Sequence, residues 1–318
     1  MPLLRFIPEA THLDFVKARF VAFAIDGVLL LASIASILYH GFNLGIDFTG
    51  GVLMEVKAAQ TIDIGKVRAD IDSLHFGEDQ IQYFGGGACD TPANSCVLIR
   101  VQPKTVSGSV ATERIKQKLG AGYNFRNSEV IGPKVSQELL QDGVLATVLA
   151  VVMISLYVAV RFEWQYGVGA LIATGHDVFV TAGFYSFLGW CGYNIDFTIN
   201  SVAALLLLAG YSINDTVVVF DRIRENRRKY KRMSLPDMIN LSTNQIATRT
   251  TLVSAATALS VVPLLFGGAV LLNFSVAILF GILVGTFSST YVAAALLLYL
   301  PPVGGGSGAG DNAAEVTA

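Results

Sequence analysis

The chain is 318 residues long, 53% hydrophobic and only 14% charged, with a net charge of −2 and a mean hydropathy of +0.56. Soluble domains carry about a quarter charged residues, so this composition excludes an ordinary soluble protein and requires lipid as part of the solvent. With no basic excess to neutralise phosphates, it also excludes a nucleic-acid binder.

Residues 1–19 include an amphipathic stretch, LLRFIPEATHLDFVKARF, expected to lie along the cytoplasmic surface of the lipid bilayer. The first apolar run, 20–40, is long enough for a helix to cross a hydrocarbon core of roughly 30 Å. It is too long for the hydrophobic region of a signal peptide, and Asp26 is out of character there, so it reads as an uncleaved first span. Asp26 falls within two turns of the expected cytoplasmic start, within reach of water, and a structural role is expected for it.

Residues 41–140 change character: they hold 10 of the 22 Lys and Arg residues and no long apolar run. Val52 to Ala58 alternates as a strand, and Ile64, Val67, Ile71 and Leu74 recur at helical spacing. Gln80 to Phe84 and Cys96 to Val101 flank a Gly-rich loop as a hairpin. Val110 to Leu119 reads as a second helix and Tyr123 to Ile131 as a last strand. The order β-α-β-β-α-β predicts an α+β ferredoxin-like domain inserted between the first and second spans. In its loop, GGGACDTPANSC, two of the chain's three cysteines, Cys89 and Cys96, stand close together. Three cysteines are too few for a disulfide scaffold. A short bridge is one reading if the loop faces an oxidising compartment, and two unpaired surface thiols are the other. No second ligand pair has the spacing of a zinc site, so no metal is expected.

Apolar spans return at 141–160, 167–189, 198–220, 247–267 and 273–300, giving an all-α membrane bundle of six transmembrane helices. Segment 221–246 is expected as a basic loop, with seven cations between 221 and 232. The positive-inside rule places this loop, Arg161 and both termini in the cytoplasm, and 41–140 outside, in the periplasm where the envelope has one. Anionic head groups would hold each cation by about 1 kcal/mol; docking a cytoplasmic partner is a second use. Gly267-Gly268 is expected as a tight turn and 301–318 as a disordered cytoplasmic tail. Asp47 in GIDFTG and Asp196 in NIDFT share Ile-Asp-Phe-Thr, a match too short to establish an internal repeat.

No phosphate loop, dinucleotide fingerprint, HExxH or GxSxG is present, so neither an enzyme nor a bound cofactor is expected. Work done by such a chain must draw on a partner or an ion gradient. Charges at membrane depth cost about 2.5–3.5 kcal/mol each and usually line a functional path or pair with one another. Asp26, Asp177, Asp215 and Arg249 are such charges. Asp215 lies in GYSINDT with Ser212, Asn214 and Thr216 as supporting polar groups, and Arg249 lies at similar depth on the next, antiparallel span. The two are expected to meet across a helix interface. Burial favours a protonated carboxyl and a neighbouring guanidinium favours the ionised one, so movement of Arg249 would let Asp215 hold or release a proton. Asp177, after His176, either extends this proton relay or makes a helix–helix hydrogen bond. Ser254, Ala255, Gly281 and Gly285 read as small residues that allow close helix packing.

The strings LRFIP, GIDFTGG, IGPKVSQEL, RFEW, GHDV, GYSINDTVVVFDRIRENRR, RTT and FGILVGTFSSTYVA occur in this order along nearly the whole chain. In kind and order they resemble the SecF branch of the SecD/SecF family, itself similar to half of a resistance-nodulation-division transporter. The resemblance implies SecD as obligate partner supplying the other six-span half, and association with the SecYEG channel, often with YajC. It implies a place in the bacterial inner membrane, where the proton gradient helps draw exported, unfolded polypeptide into the periplasm. It implies that Asp215 and Arg249 take part in proton transport, and that the outer domain is ferredoxin-like. The Cys89–Cys96 loop departs from the family pattern. Two other readings stand beside this one: half of a proton-coupled small-solute antiporter, and a non-transporting scaffold subunit. A single relay in a lone half argues against the first, whereas an Asp215–Arg249 ion pair suits driver and scaffold alike.

Overall fold

A computed structural model describes residues 13–76, 79–83, 89, 92–103, 106–193, 195–266 and 269–301. The expected surface stretch before residue 13, the Gly267-Gly268 turn, the tail from 302 and most of the glycine-rich part of the cysteine loop lie outside the described residues.

Helix α1 spans Phe15–Tyr39 and begins at Asp14, whose side chain accepts the Lys17 amide. That bond, and a second from Asn240, hold the Asp14 carboxyl below its ordinary value. A single turn, α2 (Ile46–Thr49), follows, absent from the sequence reading. It ends at Gly50 (φ 73°) and Gly51 (φ 133°), where a Cβ on Gly51 would fall 2.6 Å from the Val101 carbonyl oxygen. Both glycines are thus required by backbone geometry.

Between α1 and the second long helix lies a small sheet: β1 (Gly51–Ala58), β2 (Asp79–Tyr83), β3 (Cys96–Val101) and β4 (Tyr123–Ile131). The strand order is β2-β3-β1-β4, with every neighbouring pair antiparallel and a register shift in β1 between Glu55 and Val56. Helices α3 (Ile64–Asp72) and α4 (Gly108–Leu119) bury Val67, Ile71, Ala111 and Ile115 against Val52, Met54, Val56, Val97, Ile99 and Val101. Because side chains alternate across a strand, Cys96, Leu98 and Arg100 of β3 point to the opposite face, and they too are buried. Cys96 is bridged to Cys89. Arg100 crosses to the membrane helices, as described below.

The long helices are α5 (Pro133–Arg161), α6 (Trp164–Trp190), α7 (Ile199–Lys229), α8 (Leu235–Val261) and α9 (Ala269–Ser288). A 3₁₀ segment, Val262–Phe266, extends α8, and a π-helical turn, Ser289–Ala293, leads from α9 into the short α10 (Ala294–Leu296). Six helices are long and apolar enough to cross a membrane. They outrun the apolar segments that predict them. The stretch 221–246, expected as a loop, is instead the last turns of α7 and the first of α8, joined through Tyr230–Ser234. Hydropathy reports the thickness of lipid crossed, not the length of the helix: at 1.5 Å per residue α7 is about 46 Å long. The extension is tied by Asn226, which donates to Ser242 (2.9 Å) and Gln245 (2.9 Å), and by Arg222, which donates to Gln245 (2.7 Å).

Candidate functional site

Interior helices of the bundle are packed closely enough to exclude solvent, and polar groups there must find partners in one another. Asp177 on α6 is fully buried. Ser212 on α7 donates its hydroxyl to Asp177 Oδ2 at 2.5 Å, and His176 Nδ1 lies 3.2 Å from Oδ1. Both readings of Asp177 are therefore open still, since it makes a helix–helix hydrogen bond and contacts a titratable imidazole. Helix α9 passes close by at Gly285, where a Cβ would stand 3.4 Å from Ser212 Cβ and 3.5 Å from Asp177 Oδ2.

One turn beyond Ser212, on the same face of α7, lies Asp215, only 3% exposed, with Oδ2 unpartnered among the described residues. Thr216 back-bonds to the Ser212 carbonyl at 3.1 Å, and Asn214 is exposed. No hydrogen bond or ion pair joins Asp215 to Arg249 among the described residues. Arg249 is exposed and lines an open pocket of about 670 Å³ with Tyr157, Arg161, Asp221, Arg222 and Glu225, acting on Asp215 only through space. Sequence depth put both residues at one level, but it does not fix the direction in which each helix turns them.

Asp215 instead faces Ser254 of α8. Tyr211 on α7 donates to Ser254 Oγ at 2.8 Å, and Ser254 meets Thr286 of α9 at 2.7 Å. Ser254, read from sequence as a packing residue, is thus the centre of a hydroxyl chain across three helices. Tyr211 and Thr286 were not legible: tyrosines and threonines are common in apolar spans, and only the contact marks these two.

Asp26 on α1 is the largest departure. Expected within reach of water, it is 6% exposed, and neither carboxylate oxygen has a partner among the described residues. The helix starts at Phe15 rather than near residue 20, which carries Asp26 about three turns in.

Outside the bundle, Arg100 of β3 forms a buried ion pair with Asp196 in the segment between α6 and α7. Asn43, just after α1, donates to Asp196 Oδ1 at 2.6 Å, and Gln80 Oε1 accepts from Arg100 at 2.8 Å. The two Ile-Asp-Phe-Thr segments lie side by side. The Gly45 amide donates to the Phe197 carbonyl (2.8 Å), the Phe197 amide to the Asn43 carbonyl (2.7 Å), and the Ile199 amide to Asp47 Oδ2 (2.8 Å).

Six membrane-length helices whose interior holds sequestered carboxylates, with a small α/β unit latched to one end, define a multi-pass membrane protein. Comparison with known proteins narrows this. The family model for the C-terminal part of the protein export membrane proteins SecD/SecF matches residues 111–302, and the SecD/SecF GG motif matches 36–62, around the Gly50-Gly51 turn. Protein translocase subunit SecF of Cereibacter sphaeroides is 38% identical, with 99% of each chain covered. The SecF subunit of Rickettsia prowazekii is 36% identical, over 92% of this chain and 93% of that one. The crystal structure of SecDF, a translocon-associated membrane protein of Thermus thermophilus, superposes with a TM-score of 0.79 at 33% identity, covering 92% of this chain. A SecDF structure in a super-membrane-facing form gives 0.64 at 34% identity over 91% of this chain. This chain spans 39% of the length of each SecDF chain. The chain belongs to the SecD/SecF family.

Proposed function

We propose that this chain is the SecF half of a SecD–SecF complex. In this reading the complex uses the proton motive force to promote late steps of protein export through SecYEG, with YajC as an associated subunit, at the bacterial inner membrane. The relatives above support pairing with SecD, since the matched SecDF chains carry more than twice this length. The β-α-β-β-α-β unit is read as a ferredoxin-like domain on the periplasmic side. Both termini and the basic turn near Tyr230 are read as cytoplasmic. The Cys89–Cys96 bridge supports that sidedness, because disulfides persist in oxidising compartments.

The observation that carries the energetic part is Asp215, buried on α7 with an unpartnered carboxylate oxygen and one turn from the Ser212–Asp177 contact. An ionised carboxylate so placed is costly unless a cation or proton joins it. The described helices hold no ion pair at Asp215 that would merely lock them, which favours driver over scaffold. In this mechanism proton binding at Asp215 releases it from the pull of Arg249 and lets α7 and α8 shift against each other. The outer unit then moves through the Arg100–Asp196 latch.

The test is gradient-dependent export in cells carrying SecD with Asp215→Asn, which keeps size and hydrogen bonding and removes the titrating group. Normal accumulation of both subunits with export reduced to the level of cells lacking this chain is the expected result. Unchanged export with an intact complex would leave a structural subunit.

A further inference from the structure

A second group of titratable side chains gathers where α1 packs on α6, away from Asp215. The two helices run parallel in a fixed register. Ser36 Oγ meets Ser186 Oγ at 2.9 Å, an offset of 150 residues. A Cβ on Gly183 would fall 2.3 Å from Ser33 Cβ, at the same offset. Two turns back along each helix, about seven residues, the same register sets Asp26 beside His176 and Asp177. Asp26 is 6% exposed with both oxygens unpartnered, and His176 Nε2 is likewise buried and unpartnered among the described residues. The groups that act on the Asp26 carboxylate are His176 and Asp177.

Two carboxylates and one imidazole sharing a dry interface carry a net negative charge even when the imidazole is protonated. One further proton neutralises the group. Among the described residues no three His, Cys, Asp or Glu side chains are placed to hold a metal ion, whereas an imidazole exchanges a proton near neutral pH. Asp177 passes the connection on, through the 2.5 Å bond from Ser212, to the helix and face that carry Asp215.

We propose that Asp26, His176 and Asp177 form a second proton-holding site at the α1–α6 interface, connected through Ser212 to the helix of Asp215. The idea rests on the proton-driven reading above and extends it to α1. A proton delivered by hydronium adds to an Asp26 oxygen: one O–H bond breaks in the hydronium, one forms on the carboxyl, and no electrons are transferred.

The experiment is infrared difference spectroscopy of the full chain in lipid vesicles, cycled in pH, with Asp26→Asn, Asp26→Glu and Asp215→Asn. The carboxylic-acid band of Asp26 is expected to vanish in Asp26→Asn, to shift in Asp26→Glu, and to persist in Asp215→Asn. Survival of the Asp215 band in the Asp26 variants reports an intact bundle. A wild-type spectrum in either Asp26 variant overturns the proposal, as does a band that answers to sodium at fixed pH and not to protons. If Asp215→Asn abolishes export while the Asp26 variants leave the spectrum unchanged, this site fails alone. If the Asp26 band behaves as expected while Asp215→Asn exports normally, the site stands and the driver reading fails.

Discussion

Asp79 sits at the start of β2, where burial first and the Asp72 carboxylate second raise its carboxyl above the ordinary 3.8, with Arg68 partly offsetting them. For an acid held above its unfolded value, the stabilising contribution is complete below the unfolded value and lost as pH rises through the folded one. The sheet unit is therefore expected to gain stability on mild acidification. Asp79→Asn should remove that pH dependence and leave the unit more stable near neutrality. Hydrogen exchange of β2 and β3 below about pH 4 and at about pH 7 reads this directly. The Cys89–Cys96 bridge closes a short loop, and its removal by Cys→Ser at both positions is expected to cost about 2–3 kcal/mol. Faster protease cleavage within 79–101, in the presence of reductant or in the double variant, would show it. Asp177 and Asp215 were legible because an acid in an apolar run stands out. Arg249 was legible as a residue but not as a partner. Arg100 was missed although its signal was present: a lone cation in CVLIRV, a strand otherwise fit for burial on both faces.

At the scale of the element, α1 and α6 approach through Ser33 and Gly183 so closely that any side chain on the glycine meets the serine backbone as well as its hydroxyl. Gly183→Ala is expected to destabilise the bundle by about 1–3 kcal/mol through forced separation of the two helices. Gly210 on α7 faces open space within 4 Å of a built Cβ. Gly210→Ala is expected to be neutral or to stabilise by at most about 1 kcal/mol, from helix propensity alone. Thermal unfolding of the two variants in detergent separates packing from propensity, and equal midpoints would refute the close-packing account. The succession of strands and helices between α1 and α5 followed from alternation and turn residues, which are local. Helix ends did not, because α7 continues through Arg222, Arg224 and Arg227–Lys229 on helix-favouring charged residues that hydropathy counts as loop.

Across the whole molecule, one carboxylate joins the sheet unit to the bundle. Arg100 and Asp196 are nearly excluded from solvent, with side chains 7% and 10% exposed. Removing one member of a buried pair leaves the other uncompensated, so Arg100→Met is expected to cost about 3–5 kcal/mol. Replacing both, with Asp196→Leu, should recover part of that loss. A double-mutant cycle on thermal midpoints checks it, and additivity of the two single effects would show that the pair does not couple. Asp196 also receives Asn43 on Oδ1 and Asn273 on its carbonyl oxygen at 3.4 Å. These partners lie far apart along the chain, and that has a consequence for biogenesis. A nascent chain completes the β1–β4 sheet at Ile131, yet Arg100 has no counter-charge until Asp196 has been threaded into place. Asn273 arrives later still, with the last long helix. The sheet unit must therefore wait, folded but undocked, while α5 and α6 are inserted, and docking becomes a checkpoint of membrane assembly.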